Sequence, residues 1–588
     1  MCQRHKQLEK GPSRLSSAVK PSFYKLKVIP DIEGATFSGQ ETISLTLEEA
    51  QSRIVLNSTE IVIKKALLSN KKGSSFNGKV SYDEEKQLAI IELDGQAGKG
   101  EWQLELAFEG ILNNKLRGFY RSSYKDGSGV QKHIATTKFE PSDARRAFPC
   151  FDEPEFKAQF QITIEIDKEL TAISNSPLQS EKDLGNGKKL LEFKPSIKMS
   201  SYLVAYVVGE FEASEIVPAK SGAPIRVWSV PGKKHLSAYA LKWAKFSLDY
   251  FAEYFGIDYP GEKLDLVAIP DFASGAMENF GCITFRETAL LLDESRATHS
   301  ELLRVAEVVS HENAHMWFGD LVTMNWWNGL WLNEAFATFM AAKAVHAFMP
   351  EWKFWESFNI EKAGAMRIDG LNASRSIEFP VQSPEDARAM FDVLTYEKGC
   401  AILRMLELYL GEEVFRRGCA IYMARHQYAN TETADLWLAL DQAVKEAEQV
   451  IPVSKMMDSW VYQQGFPLVT VAKADAGGSI VLKQHPFRYL PSAEKHAELW
   501  HLPVALRAQT SDGTVERYFL LEEAEQSFYV GEGLQGLVVN AEGKGFFRVS
   551  YSEALRQELL AGLNKLSSAE RFNLTSDLWA ATQAGAIA

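Results

Sequence analysis

Residues 311–336 read HENAHMWFGDLVTMNWWNGLWLNEAF and are the most informative stretch of the chain. Residues four apart lie one above the other on an α-helix, so His311 and His315 can direct their imidazoles at one metal ion. Eighteen residues then separate His315 from Glu334, enough for a second helix starting near Trp331 to present a carboxylate. Two histidines and one glutamate leave the fourth position of a zinc ion open, as in catalytic rather than structural zinc sites. The stretch therefore predicts one catalytic Zn²⁺ held by His311, His315 and Glu334.

Glu312 follows the first histidine directly and suits the role of general base. It lies about 100° around the helix from His311, so it can approach a zinc-bound water from the side. Zinc lowers the pKa of such a water to about 7, and a carboxylate can accept the proton. The same pentapeptide also fits a helix with two solvated or packed histidines, but the downstream Glu334 and the tryptophans around it disfavour that alternative.

Hydrophobic periodicity divides the chain into regions. From about residue 22 to 213 apolar and polar residues alternate, as in FQITIEI at 160–166, which predicts an antiparallel β domain. After Gly232 the period becomes helical, and the middle of the chain is expected to be mostly helical to about Gly465. The strongest helical segments are 236–255, 301–318 and 331–349.

The remaining sequence predicts two smaller regions. Short β-branched runs separated by turn signals fill 468–549 and favour a small β-sandwich. Helical periodicity returns at about Ser552, and Ser567-Ser-Ala-Glu570 has the form of a capping box. This helical pair has little to pack against, so we expect that its continuation is missing.

Composition bounds the class of protein. A chain of 588 residues predicts about four modules at about 150 residues each. Hydrophobic residues make up 46% and charged residues 24%, which excludes bulk disorder, collagen and coiled coil. Lys and Arg number 64 against 77 Asp and Glu, and the net charge of −13 argues against nucleic acid or an anionic membrane as partner.

The cysteines and the N-terminal residues bear on location. The five cysteines are odd in number and lack C-x-x-C spacing, which disfavours a disulfide framework and indicates a reducing compartment. The first 17 residues lack the apolar stretch of a secretion signal, and no run approaches the roughly 18 apolar residues of a membrane span. We therefore expect a cytoplasmic protein.

Several separated motifs together resemble one family, the gluzincin zinc aminopeptidases, which includes aminopeptidase N and the puromycin-sensitive aminopeptidase. Besides 311–336, the motifs are TTKFE at 136–140, DARRAFPCFDEP at 143–154, GAMEN at 275–279, YEKG at 396–399 and GFFRV at 545–549. The resemblance covers nearly the whole chain and implies an α+β multidomain protein that removes N-terminal amino acids from peptides with a free N-terminus. The implied domains are a β saddle domain at 20–215, a thermolysin-like, mostly helical catalytic domain at 216–465, a small β-sandwich at 466–551 and the beginning of a helical domain, apparently truncated, at 552–588.

The resemblance also implies roles for individual residues. Glu278 of the GAMEN motif and Glu140 would bind the α-ammonium group of the substrate, and Tyr396 would donate its phenol to the developing oxyanion. Two carboxylates near one point repel, and an arriving cation relieves that repulsion, so such a site favours a free N-terminus over a mid-chain amide. Gly275 and Ala276 would offer backbone groups to the substrate main chain, and Met277 and Asn279 would be further substrate-binding residues of the motif.

The sequence departs from the family pattern at four positions. Lys138 replaces a usual Gln two residues before Glu140, so it could pair with Glu140 or line the pocket for the first side chain and disfavour N-terminal Arg and Lys. The other departures lie in or after the zinc helix and bear on pocket shape rather than zinc binding: Asn313, Met316 and Asp320. Family members also carry a large helical fourth domain that screens substrates by size, so we expect weak screening by peptide length here.

Two other functions are alternatives to an aminopeptidase. One is an epoxide hydrolase with side peptidase activity, which is disfavoured because that relative carries Gln at the position of Glu140. The other is an inactive scaffold, which would be expected to have lost a ligand, the base or the tyrosine, and all are present here.

Overall fold

The computed structural model describes residues 14–474, 477–490 and 499–586, which form two compact units. The first unit comprises the described residues up to Trp327 together with 381–388 and 426–431, and the second comprises 328–380, 389–425 and the described residues from Glu432 onward. The strands are β1 (Val19–Asp31), β2 (Thr36–Leu47), β3 (Gln51–Asn57), β4 (Ile61–Ser69), β5 (Ser75–Asp83), β6 (Leu88–Ala97), β7 (Gly100–Ile111), β8 (Gly118–Lys125), β9 (Gln131–Lys138), β10 (Gln159–Asp167), β11 (Thr171–Ser174), β12 (Leu178–Gly185), β13 (Lys188–Phe193), β14 (Tyr206–Gly209), β15 (Glu212–Ala213), β16 (Val217–Pro218), β17 (Pro224–Ser229), β18 (Leu264–Ile269), β19 (Ala276–Met277), β20 (Cys282–Arg286), β21 (Thr323–Met324), β22 (Asn430–Thr431), β23 (Pro467–Lys473), β24 (Ser479–Pro486), β25 (Leu502–Thr510), β26 (Gly513–Leu521), β27 (Glu525–Tyr529), β28 (Gln535–Val539) and β29 (Arg548–Tyr551). The helices are α1 (Ala238–Phe255), α2 (His299–His315), α3 (Trp331–Phe348), α4 (Phe354–Asp369), α5 (Pro384–Ala389), α6 (Gly399–Leu410), α7 (Glu412–His426), α8 (Thr433–Glu446), α9 (Val453–Val461), α10 (Glu553–Ala561) and α11 (Ser568–Gln583).

A ten-stranded sheet dominates the first unit, in the order β12-β13-β10-β1-β2-β7-β4-β5-β6-β3. Its pairs are antiparallel apart from β1 and β10, which run parallel with Phe23 opposite Gln159. Alternate residues of β2, such as Ile43 and Leu45, are buried, while the residues between them are exposed or half-buried. This alternation is the period-two pattern expected when one face of a sheet covers a core.

Two further sheets of the first unit support the candidate site. One has the order β11-β14-β9-β8, and the other runs β15-β17-β18-β20-β19, with β16 on β17. Every residue of β18 is buried, and β18 lies parallel to both neighbours, β17 and β20. Helices α1 and α2 pack against each other beside this sheet, with α1 in contact with β17.

The second unit combines a helical part with two small sheets. Helix α3 contacts α4 and α6, and α8 contacts α9. The sheets have the orders β27-β24-β23-β29 and β26-β25-β28. Helices α10 and α11 enclose a small apolar cluster with the end of β28, in which Leu559 and Leu574 are buried against Val538.

The predicted fold class, a mixed α+β multidomain protein with a β-rich N-terminal part and a helical catalytic part, is confirmed. The structure also bears out the capping box at Ser567, whose hydroxyl accepts from Glu570 N at 3.2 Å.

The strands β18 to β20 interrupt the stretch that we expected to be mostly helical. Their apolar runs are short, and periodicity alone cannot separate a buried strand from a buried helical segment. The bounds of the four predicted domains stay predictions.

The described cysteines are buried: Cys150, Cys282, Cys400 and Cys419. Cys2 lies outside the described residues. Among the helices in the described part of the chain, none is both long and apolar enough to span a bilayer.

Candidate metal centre

Helix α2 presents the two predicted histidine ligands. A capping box starts it: Glu301 N donates to Thr298 Oγ1 at 3.4 Å, and Thr298 N donates to Glu301 Oε2 at 2.8 Å. These bonds satisfy amides that have no partner inside the helix. The helix stays regular to His315, so the four-residue spacing places both imidazoles on one face.

The imidazoles of His311 and His315 converge. Their Nε2 atoms are 3.0 Å apart and their ring centroids 4.6 Å apart. Nδ1 of His315 lies 2.9 Å from the carbonyl oxygen of Phe318, which can only accept, so Nδ1 donates and Nε2 presents its lone pair. Two ligand atoms about 2.0–2.1 Å from a tetrahedral zinc ion are about 3.3 Å apart, so this donor pair fits zinc.

Acidic groups of the first unit gather near the histidine pair. Glu312 and Glu278 are 6% and 3% exposed. The Asp320 carboxyl is fully buried, and its pKa is raised well above its usual range, first by burial and then by the charge of Glu278, with a smaller contribution from Glu312. The charges of His315 and Lys157 act in the opposite direction. The Asp320 carboxyl therefore favours its neutral form, and a cation bound nearby would offset the repulsion among these acids.

Lys138 contacts Glu140 directly at the end of β9. Its Nζ donates to the backbone oxygen of Glu140 at 2.9 Å and lies 3.5 Å from Oε2. Both side chains are buried, at 9% and 6% exposed. The pairing that the i, i+2 spacing allowed is therefore present in the structure.

The GAMEN segment forms a short strand and a turn. Ala276 and Met277 form β19, paired with β20, and the carbonyl oxygen of Gly275 accepts from Arg286 N at 2.9 Å. Asn279 is fully buried, and its Oδ1 accepts from Thr284 Oγ1 at 3.1 Å. This contact holds the turn that carries Glu278.

Two departures from the family pattern, one on α2 and one directly after it, are accounted for by packing. Asn313 is buried and donates to Ala244 O and Ser247 Oγ of α1, each at 2.9 Å, so it joins α2 to α1. Met316 is also fully buried. Neither partner of Asn313 could be found from the sequence, because they lie 69 and 66 residues away.

In the second unit, Glu334 and Tyr396 lie on two elements that touch. Glu334 is buried in the first turn of α3, and Tyr396 lies in a turn of π-helix at Leu394–Lys398. The π-turn and the start of α6 pack against α3. A Cβ atom on Gly399 would lie 2.4 Å from Cβ of Ala335, so this close approach requires glycine.

The start of α3 is held by a polar network that sequence reasoning missed. Trp331 Nε1 donates to Thr433 Oγ1 at 3.0 Å, and the Thr433 hydroxyl donates to Glu378 at 2.5 Å. Asn328 Nδ2 donates to the same carboxylate at 2.6 Å. Burial raises the pKa of Glu378, while these hydrogen bonds lower it. The partners are 50 or more residues apart, and no local pattern signals them.

Comparison with known proteins gives the family. Residues 20–203 match the peptidase M1 N-terminal domain, and residues 239–460 match the peptidase family M1 domain. The chain belongs to the peptidase M1 family. The second match contains the histidine pair, Glu334 and Tyr396 in one continuous domain of the family.

Curated relatives align with nearly the whole of this chain. Aminopeptidase M1 of Arabidopsis thaliana is 39% identical over 596 residues, covering 98% of this chain and 66% of that protein. Puromycin-sensitive aminopeptidase of Caenorhabditis elegans is 39% identical over 584 residues, covering 98% and 61%. Aminopeptidase 2 of Candida albicans is 39% identical over 577 residues, covering 97% and 61%. The chain thus spans less than two thirds of the length of these M1 relatives.

Family membership confirms the resemblance drawn from the motifs. The M1 peptidases are metallopeptidases, which agrees with the donor set on α2. The roles of individual residues stay predictions.

Proposed function

We propose that this chain is a zinc-dependent aminopeptidase that hydrolyses the N-terminal peptide bond of peptides with a free N-terminus. The observation that carries the proposal is the 3.0 Å approach of the two Nε2 atoms on α2, with Glu312 buried beside them. His311, His315 and Glu334 would hold one zinc ion. Bound zinc polarises a carbonyl and makes water acidic enough to act near neutral pH.

Glu312 would act as the general base. Its carboxylate takes a proton from the attacking water and can return it to the leaving amine. Burial removes competing solvent, so the carboxylate depends on the groups around it for its orientation.

Glu278 and Glu140 would bind the α-ammonium group of the substrate and so select a free N-terminus. The first-unit acids lie close enough to raise the pKa of Asp320 through Glu278 and Glu312, and an incoming ammonium group offsets such repulsion. An internal peptide carries a neutral amide at the same position and gains nothing there. Tyr396 would donate its phenol to the oxyanion that develops in the transition state.

The test combines metal analysis with hydrolysis of leucyl p-nitroanilide. We expect about one zinc per chain and release of nitroaniline that a chelator abolishes. Glu312→Ala should keep the zinc and lower kcat by at least about 100-fold, within the usual range for loss of a general base. A folded, zinc-loaded chain with no hydrolysis would instead support the inactive scaffold.

Lys138 gives a sharper test of the substrate side. Its ammonium group lies 3.5 Å from Glu140, so it competes with a cationic substrate side chain for space and negative charge. We expect Lys138→Gln to raise the rate ratio of arginyl to leucyl anilide about 10-fold, which corresponds to about 1.4 kcal/mol. Lys132→Gln, a change to a lysine of the same strand that is paired with Glu210, is the control. An unchanged ratio would refute this role.

We also propose a cytoplasmic location, which the odd number of cysteines and the lack of C-x-x-C spacing support.

A further inference from the structure

The turn that carries Tyr396 has an unusual backbone. Residues Leu394–Lys398 form a π-helix, in which Lys398 N donates to Val393 O at 3.0 Å, five residues back. Such a turn holds one residue more than an α-helical turn and often occurs at functional sites. The additional residue changes the direction in which the side chains of the turn point.

A fully buried ion pair fastens the end of this turn. Lys398 Nζ lies 2.8 Å from Asp369 Oδ2, and both side chains are 0% exposed. Lys398 also donates to Gly465 O at 3.1 Å, and Gly465 N donates to Asp369 Oδ1 at 3.0 Å. Ser374 Oγ donates to the same carboxylate oxygen at 2.5 Å. The two charges and the Gly465 backbone therefore form a closed set of hydrogen bonds.

A second cation fastens the start of the turn. Arg375 Nη2 lies 2.6 Å from Asp392 Oδ1 and 2.9 Å from Thr395 Oγ1. The same Asp392 oxygen accepts from Leu394 N at 2.9 Å, and Thr395 Oγ1 donates to Met390 O at 2.6 Å. Residues on both sides of Tyr396, namely Thr395 and Lys398, are thus held in place by these ion pairs and hydrogen bonds.

We propose that Lys398, with Asp369, and Arg375 are positioning residues that hold the π-turn so that Tyr396 reaches the reacting carbonyl. The proposal rests on the role of Tyr396 in the proposed function. Replacing a buried ion pair by uncharged residues of similar size is often neutral or stabilising, so stability alone is a weak reason to bury two charges. A turn whose backbone departs from the α-helix needs fixed partners at both ends, and this pair and Arg375 supply them.

The experiment is a double-mutant cycle on kcat with leucyl p-nitroanilide. Lys398→Met/Asp369→Asn removes both charges together and avoids leaving one of them buried and unpaired. We expect kcat to fall about 100-fold with KM changed little, since a misplacement of about 1 Å can cost this much. Tyr396→Phe alone should lower kcat by about 100- to 1,000-fold, as loss of an oxyanion donor does. In the Tyr396→Phe background the charge-removing pair should lower kcat less than about 3-fold, because groups that act through one donor do not add.

A matched control comes from the same unit. Lys343 and Glu407 form another buried pair, at 2.5 Å, and Lys343→Met/Glu407→Gln should change the melting temperature but leave kcat within about 3-fold of the parent. Arg375→Gln, at a half-buried site, is the second variant in case the first does not fold. It should lower kcat about 10-fold and show the same loss of effect in Tyr396→Phe.

Two results would overturn the proposal in different ways. If Tyr396→Phe lowers kcat and the charge-removing variant lowers it by the same factor in both backgrounds, the anchors act independently of the tyrosine and the proposal is wrong. If Tyr396→Phe has no effect on kcat, Tyr396 is not the oxyanion donor of the proposed function, and the positioning role of Lys398, Asp369 and Arg375 is wrong as well.

Discussion

The histidine helix of the first unit and the tyrosine turn of the second unit achieve fixed side-chain positions by different means. On α2, regular helical spacing and a cap at Thr298 bring His311 and His315 to 3.0 Å. In the tyrosine turn the backbone is π-helical, and charged groups hold it from positions far along the chain. A helical repeat can therefore bring two side chains together by local spacing, whereas a side chain on an irregular turn depends on contacts from distant residues.

The largest expected effect comes from breaking the histidine pair. In His315→Ala one of the two converging Nε2 atoms is gone, so we expect the zinc content to fall from about one per chain to near zero and hydrolysis to fall to background. Metal analysis of the folded protein and anilide hydrolysis check this. Asn313→Leu is the control on the same helix, because Asn313 contacts α1. If His315→Ala retains its zinc, the converging histidine pair does not hold the metal.

The next effect concerns the close approach beneath the tyrosine turn. In Gly399→Ala the new Cβ would meet Ala335 Cβ at 2.4 Å, so the turn or α3 must shift. We expect kcat to fall about 10-fold or more and stability to fall by about 1–3 kcal/mol, the usual cost of overpacking.

A second substitution distinguishes a displaced tyrosine turn from a general loss of stability in Gly399→Ala. Ala335→Gly added to Gly399→Ala removes the clash and should restore most of kcat, although a glycine inside α3 still costs about 1 kcal/mol of stability. If Ala335→Gly does not restore kcat in the Gly399→Ala background, the clash is not the cause of the loss and this account is wrong.

A third effect is the pH dependence contributed by another buried cation of the second unit. Lys362 donates to the carbonyl oxygens of Gly543 and Gly545. Its pKa is lowered to about 7 by burial and then by Arg404, with Asp577 opposing and Arg548 adding a small contribution.

The direction in which stability changes with pH follows from proton binding. The pKa in the folded state, about 7, lies below the unfolded value of about 10.4, so the unfolded chain binds more protons between these values and stability rises with pH in that window. Urea unfolding at pH 7, 8 and 9 should show this rise. In Lys362→Met the slope of the free energy of unfolding against pH should be smaller by at most about 1.4 kcal/mol per pH unit. Equal slopes in the two proteins would refute the lowered pKa.

The smallest effect tests the cap of α2. Thr298→Ala removes the hydroxyl that accepts from Glu301 N and should cost about 1 kcal/mol of stability. We expect kcat to stay unchanged, because the helix between the cap and the histidines remains regular. Thr298→Ser, which keeps the hydroxyl, should behave like the parent. A marked fall in kcat would mean that the cap also positions the ligands.

Much of the fold and part of the candidate site could be predicted from the sequence. The helix start at Trp331 agrees with the structure, as does the pairing of Lys138 with Glu140 two residues on. The strands β18 to β20 were missed because short apolar runs fit both strand and helix. The π-turn at Tyr396 was also missed, since its sequence pattern does not differ from that of an α-helical turn.

The sequence by itself determined the features whose partners lie within about one helical turn or two strand residues: the converging histidines, the adjacent Glu312 and the lysine beside Glu140. Only the tertiary structure decided that Asn313 joins α2 to α1 and that Lys398 and Asp369 share the backbone of Gly465, which lies 67 and 96 residues from them. The physical reason is that the helix repeat and the strand repeat fix short-range geometry in advance. Contacts between distant residues exist only once the chain has packed and excluded water from around their charges.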